Sequence, residues 1–185
     1  MFRMQRIVIS LGSLLIMSLA CRLTPTGART FENETISFTI PAGWQTMDEI
    51  WDRPASLQKD YKGLGVQEIV TIQYPPKQAK GKAFFVVASS PKVDGQDLES
   101  RFTQAYEMAN PEIEGESKHL FEQGELSGYE IIYRRPWGEP WWQFRDIWLE
   151  HNSTVYVLSF YASPYSFETY SDTFNQILES FQFKE

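Results

Sequence analysis

The stretch WWQFRDIWLEHNSTVYVLSFYA, running from Trp141 to Ala162, decides the fold. Apolar and aromatic residues alternate along it, interrupted by polar ones in its first half and nearly unbroken in its second, which is the period of a β-strand. Asn152-Ser153 separates the halves and is short enough for a tight hairpin, although Asn-Ser is a weaker turn signal than Asn-Gly. In the second half Val155, Val157, Ser159 and Tyr161 alternate with Tyr156, Leu158, Phe160 and Ala162, so both faces are largely apolar. A strand of that kind belongs in the middle of a sheet that is covered on both sides.

Upstream the same pattern yields two more strands, near residues 117–124 and 127–135, which complete a four-strand meander with 141–151 and 154–162. Downstream, Ser163-Pro164 opens a helix with proline at the first helical position, and Phe167, Tyr170, Phe174, Ile177 and Phe181 fall along one stripe. A second amphipathic helix follows Pro91. Leu98, Phe102, Ala105, Tyr106 and Ala109 recur at three- and four-residue steps, Asp94 or Asp97 can cap its start, and Asn110-Pro111 ends it. Earlier strands are expected at Thr35 to Pro41, Gln67 to Tyr74 and Ala83 to Ser89, with Trp44 folding back onto the sheet. Asp48 to Gly65 reads as a polar surface excursion that includes a short helix. The fold class is α+β, an antiparallel sheet flanked by helices on both faces.

The N-terminus carries an address. Arg3 and Arg6 precede an apolar run, Ile7 to Ala20, that ends at Cys21, the single cysteine of the chain. The run is well short of the roughly 20 residues a spanning helix needs. A basic start, a short apolar run and a small residue before cysteine read as a bacterial lipoprotein signal, with Cys21 expected to carry diacylglycerol and palmitate after cleavage. The box Ser18-Leu19-Ala20-Cys21 departs from the usual preference for leucine three residues before the cysteine. The expected organisation is a signal peptide over residues 1–20, a lipidated tether over 21–30 and one domain over 31–185. The localisation it implies is the cell membrane or outer membrane, lipid-anchored and facing periplasm or exterior.

Removing the first 20 of 185 residues leaves 165, enough for one domain with a full core. The formal net charge is −7, and −9 once Arg3 and Arg6 are gone. Such an acidic chain is a poor match for nucleic acid or for electrostatic adhesion to anionic lipid. With one cysteine no internal disulfide can form.

Two segments carry a family resemblance. Phe31-Glu32-Asn33 followed by Ile36-Ser37-Phe38-Thr39-Ile40-Pro41-Ala42-Gly43-Trp44 resembles the entry of the PsbP-like proteins, relatives of the photosystem II extrinsic protein. Tyr161, Phe167, Tyr170, Phe174 and the closing Ile177-Leu178-Glu179-Ser180-Phe181 resemble that family's last helix and exit. Trp51 to Lys92 carries no match. The resemblance implies an α/β/α sandwich and, among bacterial members, lipoproteins with short tethers. It leaves a photosystem II accessory role open if the source is photosynthetic. Metal binding has been proposed in that family, but His119 and His151 stand on different strands without close ligand spacing, and no metal or other cofactor is expected.

The candidate binding site is the turn Arg134-Arg135-Pro136-Trp137-Gly138-Glu139-Pro140-Trp141-Trp142. Prolines and a glycine shape it, and Arg134, Arg135, Trp137, Trp141 and Trp142 are the residue types most enriched at binding hot spots. The alternative is that Trp142 and Phe144 face the core while Trp137 and Trp141 cover the sheet edge. Lysines Lys59, Lys62, Lys77, Lys80 and Lys82, and acids Glu112, Glu114 and Glu116, read as solvated loop charges. No Gly-x-Ser-x-Gly elbow follows the signal, and no catalytic residue is assigned. The function expected is a non-catalytic, monomeric protein-binding or assembly module, its partner unidentified. A small-ligand or glycan receptor is the alternative.

Overall fold

A computed structural model describes residues 27–51, 66–74, 81–109, 114–136 and 141–185. The strands are β1 (Arg29–Glu32), β2 (Ile36–Ile40), β3 (Gln45–Thr46), β4 (Gln67–Tyr74), β5 (Ala83–Pro91), β6 (Glu114–Gln123), β7 (Leu126–Pro136), β8 (Trp141–His151), β9 (Thr154–Ala162) and β10 (Gln182–Phe183). The helices are α1 (Met47–Trp51), α2 (Leu98–Ala109) and α3 (Pro164–Ser180). Seven strands form one antiparallel sheet in the order β3-β4-β5-β9-β8-β7-β6, and three form a smaller sheet, β1-β2-β10. The doubly apolar strand β9 therefore lies fourth of seven, where its composition requires it to be.

Period-two alternation sends each large-sheet residue to one of two layers. On one face Phe85, Phe160 and Phe174 of α3 pack together, with the Phe160 and Phe174 rings stacked 4.8 Å apart. The small sheet covers the rest of this face, its Phe38 lying edge-on to Phe85 at 5.3 Å. Trp44 is buried here between Tyr74 and Tyr170. On the opposite face α2 drops Phe102 onto Tyr129 and Trp148, at 5.6 and 5.8 Å. The result is the α+β sandwich with a helix on each face.

Local chemistry sets the boundaries. The Asp97 carboxylate accepts a 2.7 Å bond from the Ser100 amide and so caps α2. That backbone bond also holds the exposed Asp97 carboxyl below its ordinary range. Pro164 occupies the first turn of α3, where its missing N–H costs nothing. Three short strands have no pattern of their own. β1 opens at Arg29, inside the stretch read as tether, while β3 and β10 have two residues each. They exist because partner strands meet them: Arg29 pairs with Ile40 across a short connection, while Gln182 pairs with Ser37 and Gln45 with Gln73 from farther along the chain.

The β8–β9 hairpin turns at Asn152 and Ser153, which have φ of 47° and 60°. Two successive positive values match the twist of the flanking strands, but serine lacks the freedom that glycine has there. Ser153→Gly is therefore expected to stabilise the domain by about 0.5 kcal/mol, since left-handed backbone strains a side-chain-bearing residue. Paired thermal unfolding curves measure this. A lower midpoint for the variant would mean the turn carries no strain.

Candidate functional site

The register of β7 and β8 places Pro136 opposite Trp141, Arg135 opposite Trp142 and Arg134 opposite Gln143. Alternation then divides the candidate residues between the two faces. Trp141 and Arg134 point outward on the α3 side, with Trp141 40% exposed and Arg134 Nε donating to Gln143 Oε1 at 3.3 Å. Arg135 and Trp142 lie on the α2 side. The Arg135 guanidinium sits 4.7 Å over the Phe144 ring, and Trp142 is half-buried with its ring 5.8 Å from both Phe84 and Tyr161. Trp142 and Phe144 thus pack inward. Trp137 lies outside the described residues, as does Cys21.

Behind Arg135 and Trp142 a row of rings crosses four strands. Tyr133 stacks on Phe144 at 5.1 Å, Phe144 on Tyr161 at 5.1 Å, and Tyr161 on Phe84 at 4.8 Å. Cross-strand aromatic pairs of this kind each add roughly 0.5–1.5 kcal/mol beyond area burial, so the row stiffens the sheet directly beneath the hairpin.

Beside this row is a group the sequence reading did not single out. Asp146 of β8 is only 6% exposed. The Tyr106 hydroxyl of α2 and the Tyr133 hydroxyl of β7 each donate to its Oδ2 at 2.8 Å, and the Ser159 hydroxyl of β9 donates to Oδ1. Trp148 Nε1 in turn donates to the Tyr106 oxygen at 2.9 Å. Burial pushes the Asp146 carboxyl above the ordinary range, against the pull of the three hydroxyls and Arg135. Burial and the neighbouring carboxylate push both tyrosines well above 10, so each keeps its proton and donates.

The signal for Asp146 was present in the sequence. Trp142, Phe144, Asp146 and Trp148 share one face at period two, so an acid stands in an otherwise aromatic stripe. A buried acid in such a row must be hydrogen-bonded, and here the donors come from three elements. Chemically the arrangement is a clamp. It ties α2 to β7, β8 and β9, and the hydroxyls occupy both carboxylate oxygens.

The remaining charged groups are dispersed. His119 is exposed on β6, while the His151 ring stacks 4.3 Å from Phe183 at the end of β8. Lys82 is half-buried just before β5, whereas Lys59, Lys62, Lys77, Lys80 and Glu112 fall outside the described residues. Among the described residues no three His, Cys, Asp or Glu side chains converge as a metal site would require. Among them, too, no helix is long and apolar enough to cross a membrane.

No family model matches the sequence, and no curated protein matches it. Solved structures do. The solution structure of cyanobacterial PsbP from Synechocystis sp. PCC 6803 superposes with a TM-score of 0.57 at 12% identity, over 88% of this chain and 95% of that one. The fold is PsbP-like. LpqN of Mycobacterium tuberculosis, involved in cell envelope biogenesis, gives a TM-score of 0.56 at 16% identity over 85% of this chain and 91% of its own. A Pseudomonas aeruginosa protein of unknown function gives 0.54 at 12% identity, over 83% and 94%. The overall fold of this PsbP-like domain is thus shared by proteins with little sequence in common.

Proposed function

We propose that the chain is an envelope lipoprotein, anchored through Cys21, whose PsbP-like domain works without catalysis as a monomeric accessory or assembly module. It binds a protein partner at the β7–β8 hairpin end. The observation that carries this reading is the outward placement of Trp141 and Arg134 on a hairpin whose inner side is held by Arg135, Trp142 and the ring row. An exposed tryptophan and arginine on a rigid support bring large contact area and directional bonds at small ordering cost. Trp137, in the same turn of the sequence, belongs to the proposed contact.

The envelope setting is supported by the lipoprotein signal and by the likeness to LpqN. The lipid supplies confinement, since a partner in or near the same membrane meets the domain at raised effective concentration.

A crosslinking pull-down from native membranes tests the reading. The double variant Trp141→Ala, Arg134→Ala is expected to lose its dominant protein partner, with affinity reduced roughly 30-fold, the equivalent of a hot-spot loss of about 2 kcal/mol. Both side chains are exposed, so the thermal midpoint should stay near that of the wild type. An unchanged partner list would remove the hairpin from the binding surface. Cys21→Ser should release the domain from the membrane fraction.

A further inference from the structure

The register links the chain entry to the hairpin end. Arg29, the first residue of β1, pairs with Ile40, which leads into the Pro41–Trp44 turn. Trp44 stacks on Tyr74, Tyr74 pairs with Ala83, and Ala83 pairs with Ala162. Ala162 also pairs with Gln143, two residues from Trp141. Tyr165 follows Ala162 by three residues in the first turn of α3, and Gly81 lies against Ser166, with an added Cβ 3.6 Å from its hydroxyl. Entry point, Tyr165, Trp141 and Arg134 therefore share one rim of the sandwich.

Cys21 and Arg29 are eight peptide steps apart, which span at most about 29 Å. A domain of this length is about 40 Å across. A tether shorter than the domain's breadth, entering at one rim, keeps that rim nearest the lipid. On this rim Tyr165 is 96% exposed, on the second residue of a helix where no core contact would explain an aromatic ring. Tyrosine combines an apolar ring with a hydroxyl that stays wet, the balance that enriches it at the headgroup level of bilayers.

We infer that this rim rests on the lipid headgroups of the domain's own membrane, with Tyr165 as the contacting ring. The inference rests on the anchored reading above and adds the orientation. Arg134 and Trp141, on the neighbouring strands of the same rim, are then carried at the membrane surface. The footprint needs no net positive charge, because the acyl chains supply affinity and the ring only sets the tilt.

The test uses the full lipidated chain in vesicles of phosphatidylcholine with a minority of phosphatidylglycerol. One variant, Tyr165→Cys, and another, Ser127→Cys at the opposite end of β7, carry the same environment-sensitive fluorophore. The label at position 165 is expected to be shielded from aqueous iodide several-fold and quenched by headgroup-level nitroxide lipid. The label at 127 should behave in the reverse way. Equal iodide access at both positions, with the chain sedimenting with vesicles, would overturn the orientation and leave anchoring intact. Shielding that arises only in native membranes would assign the rim to protein and overturn the lipid contact. A chain that stays in the supernatant would overturn anchoring and this inference together.

Discussion

Asp146→Ala is expected to lower the unfolding free energy by about 3–5 kcal/mol, because it leaves three hydroxyls, one buried and two half-buried, without their acceptor. Tyr106, Tyr133 and Ser159 all donate to this carboxyl, and Trp148 depends on Tyr106. The loss therefore reaches α2, β7 and β9 at once. Asp146→Asn keeps a carbonyl acceptor and removes the cost of burying a charge, so it should stay within about 1 kcal/mol of the wild type. The two variants also differ in pH response. Burial holds the folded-state carboxyl above 3.8, so the native state keeps this proton more tightly than the unfolded chain does. Stability from this group is then full below the ordinary aspartate value and falls as pH rises through the raised one, levelling off beyond it. The wild type minus Asp146→Asn difference, from denaturant titrations across the acid range, should fall through that window. A flat difference would show that the carboxyl titrates normally and that the clamp costs nothing to ionise.

The same stripe shows what was legible in the sequence. Strand β9, its place in the sheet, an aspartate cap at Asp94 or Asp97 and the Pro164 start all follow from local pattern, because each depends on residues close along the chain. β1, β3 and β10 do not, since each is defined by the strand it pairs with rather than by a pattern of its own, and for β10 that partner lies more than a hundred positions away, Gln182 meeting Ser37. At the candidate site, residue types pointed to the hairpin, but alternation is what separates Trp141 and Arg134 from Trp142 and Arg135. Asp146 was visible as an acid among rings. Its donors were not, because Tyr106 reaches it from a helix whose docking face depends on the whole sheet.

Gly128→Ala is expected to destabilise the domain by about 3 kcal/mol or more, placing it with severe overpacking rather than with ordinary strand substitutions. An added Cβ would lie 1.9 Å from the Trp148 carbonyl oxygen, 3.0 Å from its carbon and 3.3 Å from Leu149 Cδ2. The first contact is backbone, so no rotamer change relieves it. Trp148 pairs with Tyr129 on one side and Val157 on the other, and moving it would open two ladders of the sheet. Glycine within a strand often marks such a close backbone approach. The disturbance would pass to the Trp148 indole, which bonds Tyr106, and so to the Asp146 clamp and α2. Thermal unfolding together with near-ultraviolet circular dichroism should show both a depressed midpoint and a loss of the aromatic signal from the α2 face. Ser127→Ala, one residue earlier and exposed, should change neither. A Gly128→Ala variant that unfolds at the wild-type midpoint would mean that β7 and β8 can separate at this point without cost, and that the close approach is not a constraint on the fold.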